Sequence, residues 1–424
     1  MADRSAQNLF IHNAAQVITP ALSTSGPSPA LALRVIEDGA VLIIDSKIAA
    51  LGPTRDLKSD PRVQHVPQLN CTDCVVAPGF VDSHTHLVFA GTRQLEYEKR
   101  IQGTSYEEIA ASGGGIQETV RQVRRTSEDS LLEAAKQRCR EFLDHGTTTL
   151  EAKSGYGLDP DNEFKILRVV RRLREDSTLP VEIVSTFLGA HEIPEEFQKD
   201  RRGYVNLICS QMIPKVAQEN LAEFCDVFCE RTVFNLGESR QILLTARQHG
   251  LKLKLHADQL TRNGGAQLAV ELNAISADHL ECIEDRDVEA LSHSNVVATL
   301  LPGATFHLGK GNYAPARKLI DSGARVALAT DFNPGTSPTV NMQMVLSLAC
   351  SQLHMSPAEA FAAATLGGAM ALNRHGDRGS LDPGKAADLA IFDVPDYRLV
   401  PYHFGMNHVR AVIKDGQVLF DHWN

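Results

Sequence analysis

The sequence predicts an α/β protein, a (β/α)8 TIM barrel carrying a small β-sandwich that both chain termini build together. Two observations lead there. Between about residue 75 and residue 375, short apolar runs alternate with helical patterns, the signature of a parallel sheet with helical crossovers. The ends read differently: residues 33–44 and 409–420 alternate apolar and polar positions around Asp38-Gly39 and Asp415-Gly416, as β-hairpins do.

Strands are predicted over 75–83, 147–152, 181–188, 225–229, 252–256, 275–279, 296–301 and 326–331. Helical patterns between them cover 129–144, 163–175, 215–223, 238–249, 265–272, 285–292, 315–322 and 341–353. Gly146, Gly250 and Gly323 stand where three of these helices should stop, since glycine accepts the left-handed conformation that closes a helix. Eight such units make a barrel of residues 75–375 and leave 1–74 with 376–424 for one composite β-domain. The stretch from Ser23 to Pro29 reads as a flexible loop.

Composition bounds the function. The 424 residues are 43% hydrophobic and 22% charged, an ordinary globular balance. No run approaches the ~18 apolar residues of a membrane span. The first ten residues lack a basic segment followed by an apolar core, so a cytoplasmic protein is expected. A net charge of −10 argues against nucleic acid or an acidic membrane as partner. The eight cysteines are scattered, as reduced thiols are, and Cys71-x-x-Cys74 has no second pair at zinc-finger spacing.

The chemistry gathers at predicted strand ends. Residues 75–83 run into His84-Thr85-His86, and residues i and i+2 of a strand share a face, so both imidazoles can reach one ion. His256 ends the fifth strand, His279 the sixth and Asp331 the eighth. Active sites of such barrels sit at the C-terminal strand ends, which brings these five residues over one barrel mouth. Histidines with a carboxylate and an open position for water are the usual set of a catalytic metal site.

This pattern resembles the amidohydrolase superfamily, which carries His-x-His on strand one, His on strands five and six, and Asp on strand eight of a TIM barrel flanked by a small β-sandwich. The resemblance is closer still to one branch. Its motifs here are Arg93, residues 112–116 (Ser-Gly-Gly-Gly-Ile), residues 151–157 (Glu-Ala-Lys-Ser-Gly-Tyr-Gly), residues 187–191 (Phe-Leu-Gly-Ala-His) and residues 329–335 (Ala-Thr-Asp-Phe-Asn-Pro-Gly), spread over most of the chain. That branch implies a histidine-degradation step: ring opening of 4-imidazolone-5-propanoate by water to N-formimidoyl-L-glutamate. It also implies one zinc or iron ion on His84, His86, His256 and Asp331, and substrate contacts from Arg93, Tyr156, His191, Gln259, Asn333, Gly335 and Thr336. A homodimer is the expectation for this architecture.

The residues fit such chemistry. Asp331 can take a proton from water and pass it to the leaving ring nitrogen, and His279 can polarise the carbonyl. Arg93 offers a planar fork for a substrate carboxylate, or else a surface pair with Glu96 or Glu98. Tyr156 between two glycines and His191 at a strand end point to the site, with core packing as the bland reading of each. The Ser-Gly-Gly-Gly-Ile loop has no Gly-Lys-Ser/Thr after it and is read as a mobile loop near the entrance, without a chemical role. Gln259 stands where many metal deaminases carry Glu, and an amide cannot do acid or base work. Lys153 leaves two readings open: an ion-pairing residue beside one metal, or a carboxylated bridge between two, as in hydantoinase-like or dihydroorotase-like cyclic amidases. The pattern also admits an aminohydrolase of the same superfamily. A non-catalytic barrel is disfavoured, because its ligands should be broken and all five are intact here.

Overall fold

A computed structural model describes residues 7–22, 31–104, 108–109 and 113–421, so the Ser23–Pro29 stretch and Ser112 lie outside the described residues. The chain begins with β1 (Leu9–Leu22), β2 (Leu31–Ile44), β3 (Lys47–Pro53), β4 (Gln68–Asn70) and β5 (Val75–Pro78). Eight strands follow: β6 (Phe80–Asp82), β7 (Thr147–Lys153), β8 (Glu182–Ala190), β9 (Phe224–Cys229), β10 (Lys252–Ala257), β11 (Ser276–His279), β12 (Val297–Leu300) and β13 (Arg325–Leu328). The chain ends with β14 (Leu389–Phe392), β15 (Val409–Lys414) and β16 (Gln417–Asp421).

The strands form two sheets. β6 to β13 pair in chain order, all parallel, as a (β/α)8 barrel demands. The ring is completed where Thr85 bridges Phe332 and where Thr330 N donates to Asp82 Oδ1 at 3.1 Å. The second sheet, in the order β16-β15-β14-β5-β1-β2-β3 with β4 on β1, draws on both chain ends. Helices cover the barrel, and Gly146, Gly250 and Gly323 close three of them at φ of 87°, 84° and 84°.

Three expectations need correction. The first barrel strand is not continuous over 75–83: Val75–Pro78 pairs with β1 and β14 in the terminal sheet, and only Phe80–Asp82 enters the barrel. Gly79 marks the crossing, and a Cβ there would come within 2.3 Å of Thr148 Oγ1. Asp38-Gly39 does not turn the chain. β2 runs straight through it, Gly39 opposite Ala14, and the reversal falls at Asp45-Ser46. Gly39 is needed for close approach, since a Cβ would lie 2.5 Å from Val17 Cγ2. Asp415-Gly416 does form its hairpin, with φ of 49° and 79° as a type I′ turn requires. Finally, the helix expected over 215–223 is the end of a longer helical run that starts at Arg201 and stops at Gln218. The run absorbs Pro214 through a π-type segment, Ile208–Met212, just before it.

Candidate active site

The five strand-end residues converge, every one buried. His84 and His86 follow β6, His256 lies in β10, His279 ends β11, and Asp331 stands three residues past β13 with φ of 53°. Asp331 Oδ1 lies 3.5 Å from His84 Nε2 and 3.6 Å from His86 Nε2. Metal-ligand bonds of about 2.1 Å in a tetrahedral shell set ligand atoms about 3.4 Å apart, so this spacing suits one shared ion. Ligand atoms of His84, His86 and His256 form one such group and those of His84, His279 and Asp331 another, each within 4.8 Å.

Tautomers support the same reading. His84 Nδ1 is 2.6 Å from Asp278 Oδ2, and His256 Nδ1 is 3.0 Å from Asp226 Oδ2. The hydrogen bond to Asp278 holds His84 Nδ1 protonated and leaves its Nε2 lone pair for an ion, and the Asp226 carboxylate beside His256 Nδ1 favours the same tautomer there without a hydrogen bond of good geometry. Among the described residues, both Nε2 atoms are buried without a hydrogen-bond partner. Burial, followed by the neighbouring Lys153 charge, also drives the His84 pKa well below its ordinary value, so the ring is neutral and able to ligate. Burial pushes the Asp331 carboxyl up to about 6.

Beneath the histidines lies a dry ionic layer. Lys153 Nζ is 2.6 Å from Asp226 Oδ2, 2.9 Å from Glu151 Oε2 and 3.6 Å from Asp278 Oδ2. Lys254 Nζ donates to Ser83 O at 2.8 Å and to Glu151 Oε1 at 3.0 Å. Burial alone would lower the Lys153 pKa, but Asp226, Glu151 and Asp278 outweigh it and raise it, so the side chain is an ammonium. Three carboxylates face two ammonium groups, which leaves one negative charge under the ligands, and Asp331 adds another. The histidine cluster is therefore suited to a divalent cation.

The cleft above encloses about 510 Å³ including its open mouth, and His86, Arg93, Tyr156, His191, Gln259, His279, Asp331, Asn333 and Thr336 line it. His191 stacks on His86 at 4.8 Å, and its Nδ1–H donates to Gly155 O at 3.0 Å. Burial lowers its pKa to about 3, so it presents a neutral Nε2 acceptor. Tyr156 is 2% exposed and packs against both rings.

Arg93 does pair with Glu96, but in the interior and not on the surface. It is only 7% exposed and lines the cleft, yet its Nε donates to Glu96 Oε2 at 2.8 Å. Gly335 does not line the cleft; a Cβ there would sit 2.0 Å from Arg93 Nη1, so the glycine makes room for the guanidinium. Asn333 spends its amide on its own loop. Its Oδ1 accepts from Gly335 N at 2.8 Å and Thr336 N at 2.7 Å, and its Nδ2 donates to Asp331 O at 2.6 Å and Thr336 Oγ1 at 2.8 Å.

Sequence reasoning missed the carboxylates that hold this frame. Asp226 and Asp278 stood inside strands read as apolar. Glu163 accepts from the backbone N–H groups of Gly155, Gly157 and Leu158, and Asp258 from those of Asn263, Gly264 and Ala266, ordering two loops around the cleft. A period-two reading offered a signal: Glu151 with Lys153, and Lys254 with His256, are i, i+2 pairs that share the barrel's inner face.

A parallel barrel with a histidine-carboxylate cluster at its C-terminal strand ends defines a metal-binding hydrolase scaffold. The profile of the amidohydrolase family matches residues 75–419, and the chain belongs to that family. Among its relatives is the imidazolonepropionase of Geobacillus sp. (strain WCH70), 46% identical over 416 residues that make up 97% of each chain. The imidazolonepropionase of Solibacter usitatus (strain Ellin6076) is 47% identical over 96% of this chain and 97% of its own. Solved structures share the fold: E. coli guanine deaminase, with TM-score 0.70 and 18% identity over 97% of this chain and 99% of that one, and a zinc-bound adenosine deaminase from Xanthomonas campestris, with TM-score 0.66 and 17% identity over 98% and 93%.

Proposed function

We propose that this chain is a metal-dependent cyclic amidase that hydrolyses 4-imidazolone-5-propanoate to N-formimidoyl-L-glutamate, the imidazolonepropionase step of histidine degradation. One observation carries the reading: a single cleft is lined by His86, His256, Asp331 and the buried Arg93 fork, with His84 Nε2 3.5 Å from Asp331 Oδ1. A small ring bearing a carboxylate fits both ends. His84, His86, His256 and Asp331 would hold one zinc or iron ion, which when bound would lower the pKa of water toward roughly 7. His3Asp accommodates either metal.

Each side chain then has a task. Arg93 binds the substrate carboxylate, its fork aimed by Glu96 and given space by Gly335. Tyr156 and His191 wall the ring, with the neutral His191 Nε2 accepting from a ring N–H, and Gln259 adds a neutral hydrogen-bonding contact. Asp331 takes the proton of the attacking water and delivers it to the leaving ring nitrogen. His279 stabilises the oxygen on which charge develops. Asn333 and Thr336 hold the Asp331 loop in place. Lys153 serves as an ion-pairing residue, because its ammonium is committed to Asp226, Glu151 and Asp278.

The protein works in the cytoplasm as a homodimer of two-domain subunits. Residues 1–78 with 376–424 make one domain and 80–375 the other, the boundary moved from residue 75 to the crossing at Gly79 because Val75–Pro78 pairs in the terminal sheet. Among the described residues, no helix is long and apolar enough to cross a membrane.

The deciding experiment follows 4-imidazolone-5-propanoate absorbance with purified protein, a chelator-treated sample, and samples restored with zinc or iron. Metal-dependent decay to formimidoylglutamate is expected. A folded, metal-loaded protein that leaves the substrate intact overturns the reading and directs the search to hydantoins and dihydroorotate.

A further inference from the structure

Asp258 and Asp331 each place one non-glycine residue at positive φ beyond their strands, and the segment that carries His279 places two in a row. His279 and Leu280 both adopt the left-handed region, with φ of 83° and 72°, and neither is glycine. Such conformations persist only where the surroundings enforce them and cluster at functional sites. Here Leu280 N donates to Ala257 O at 3.0 Å and Cys282 N to Asp258 O at 2.8 Å, which pins the turn to the strand beside it. The turn brings Glu281 back beside His279.

Glu281 is 8% exposed, and its Oε1 lies 3.6 Å from His279 Nδ1. Thr305 Oγ1 donates to the same oxygen at 3.2 Å and fixes the carboxylate. Among the described residues, His279 Nδ1 and Glu281 Oε2 are both buried with no hydrogen-bond partner. A buried imidazole nitrogen beside a buried carboxylate that keeps one oxygen unengaged is a pair one small movement short of closing. Catalytic hydrogen bonds are often this long before substrate binds. Glu281 also faces a side cavity, lined with Thr305, Lys310 and Asn312, that adjoins the main cleft through Gln259, Leu260 and Leu308.

We infer that Glu281 is a positioning residue for the reaction: it accepts the Nδ1–H of His279 and so turns Nε2 toward the substrate carbonyl. The pair is built like those behind His84 and His256, but it serves the residue that meets the substrate. The carboxylates of Asp278 and Asp226 aim ring nitrogens at the ion, and Glu281 aims one at the developing oxyanion. This inference rests on the role proposed above for His279.

Three variants test it, each assayed beside the wild-type enzyme on 4-imidazolone-5-propanoate. Glu281→Met removes the acceptor at nearly constant volume and should lower kcat by about 30-fold while KM stays within about two-fold, since an interaction made mainly in the transition state is lost. Glu281→Gln keeps an acceptor oxygen and should recover kcat to within about five-fold of wild type. Thr305→Val, which only frees the carboxylate, should cost about three-fold in kcat and leave the melting temperature within a few degrees. It keeps the inference testable if Glu281→Met does not fold. Wild-type kcat in Glu281→Met, a Gln variant as impaired as Met, or an unchanged kcat in Thr305→Val would each overturn the inference. An inactive wild-type enzyme would instead sink the proposed reaction.

Discussion

Asp278 Oδ2 sits 2.6 Å from His84 Nδ1, and both side chains are fully buried. Carboxylates in this position typically govern metal affinity by 10- to 100-fold. Asp278→Asn should therefore weaken metal retention by roughly that factor. Competition with a chromophoric chelator measures it directly, and retention equal to wild type would show that His84 needs no partner.

Asp331→Asn should preserve the fold, because the loop around it is held by Asn333, Thr336 and Ser337 through bonds the substitution leaves in place. Turnover should fall by at least about 100-fold, the low end of what a positioned proton-transfer group supplies. Steady-state kinetics alongside circular dichroism decides the matter. Near wild-type kcat would remove Asp331 from the chemistry.

Arg93 and Gly335 should fail together. Arg93→Ala removes a charged hydrogen-bonding pair worth about 1.5–3 kcal/mol, so KM should rise about 10- to 100-fold with a smaller change in kcat. Gly335→Ala places a methyl group where the guanidinium lies and should push KM in the same direction without touching the substrate itself. A Gly335→Ala enzyme with unchanged KM would mean that the carboxylate is bound elsewhere.

Acid should loosen the terminal sheet at Asp388. Burial alone would raise its pKa, but Lys414, 2.8 Å away, and Arg378 outweigh burial and hold it below the ordinary carboxylate range. A pKa lowered in the folded state gives stability that is present above the unfolded value of about 3.9 and lost as pH falls through the folded value. Lys414→Met should thus be destabilised by about 3 kcal/mol at neutral pH, and the gap should close below about pH 4. Urea midpoints between pH 7 and pH 3 follow this; a constant gap would locate the effect in packing.

The barrel was legible because its strands are apolar runs that end in chemistry, and a chain needs no tertiary knowledge to show His84, His256, His279 and Asp331 at such ends. The terminal sheet was only half legible. Asp415-Gly416 and Asp38-Gly39 are the same dipeptide, yet one turns the chain and the other sits in the middle of a 14-residue strand, and only the partner strands decide between them. The supporting charges were hidden for another reason. Lys254 alternates with leucines in Leu251-Lys252-Leu253-Lys254-Leu255, as a solvent-facing lysine would, and nothing local says that its ammonium meets Glu151, 103 residues earlier. Glu281 needed the strained turn at His279 and Leu280, which sequence does not announce.

The crossing at Gly79 gives the molecule an order of assembly. β5 lies between β1 and β14, and Gly79 N donates to Asp388 O at 3.0 Å, so the strand leading to His84 and His86 is anchored by residues more than 300 positions later. On the ribosome, the two histidines leave the exit tunnel early but wait for the final segment before their lead-in strand acquires its second neighbour. A nascent chain cut short anywhere between Asp331 and Leu389 therefore has every proposed metal-ligand residue and an unfinished foundation beneath two of them.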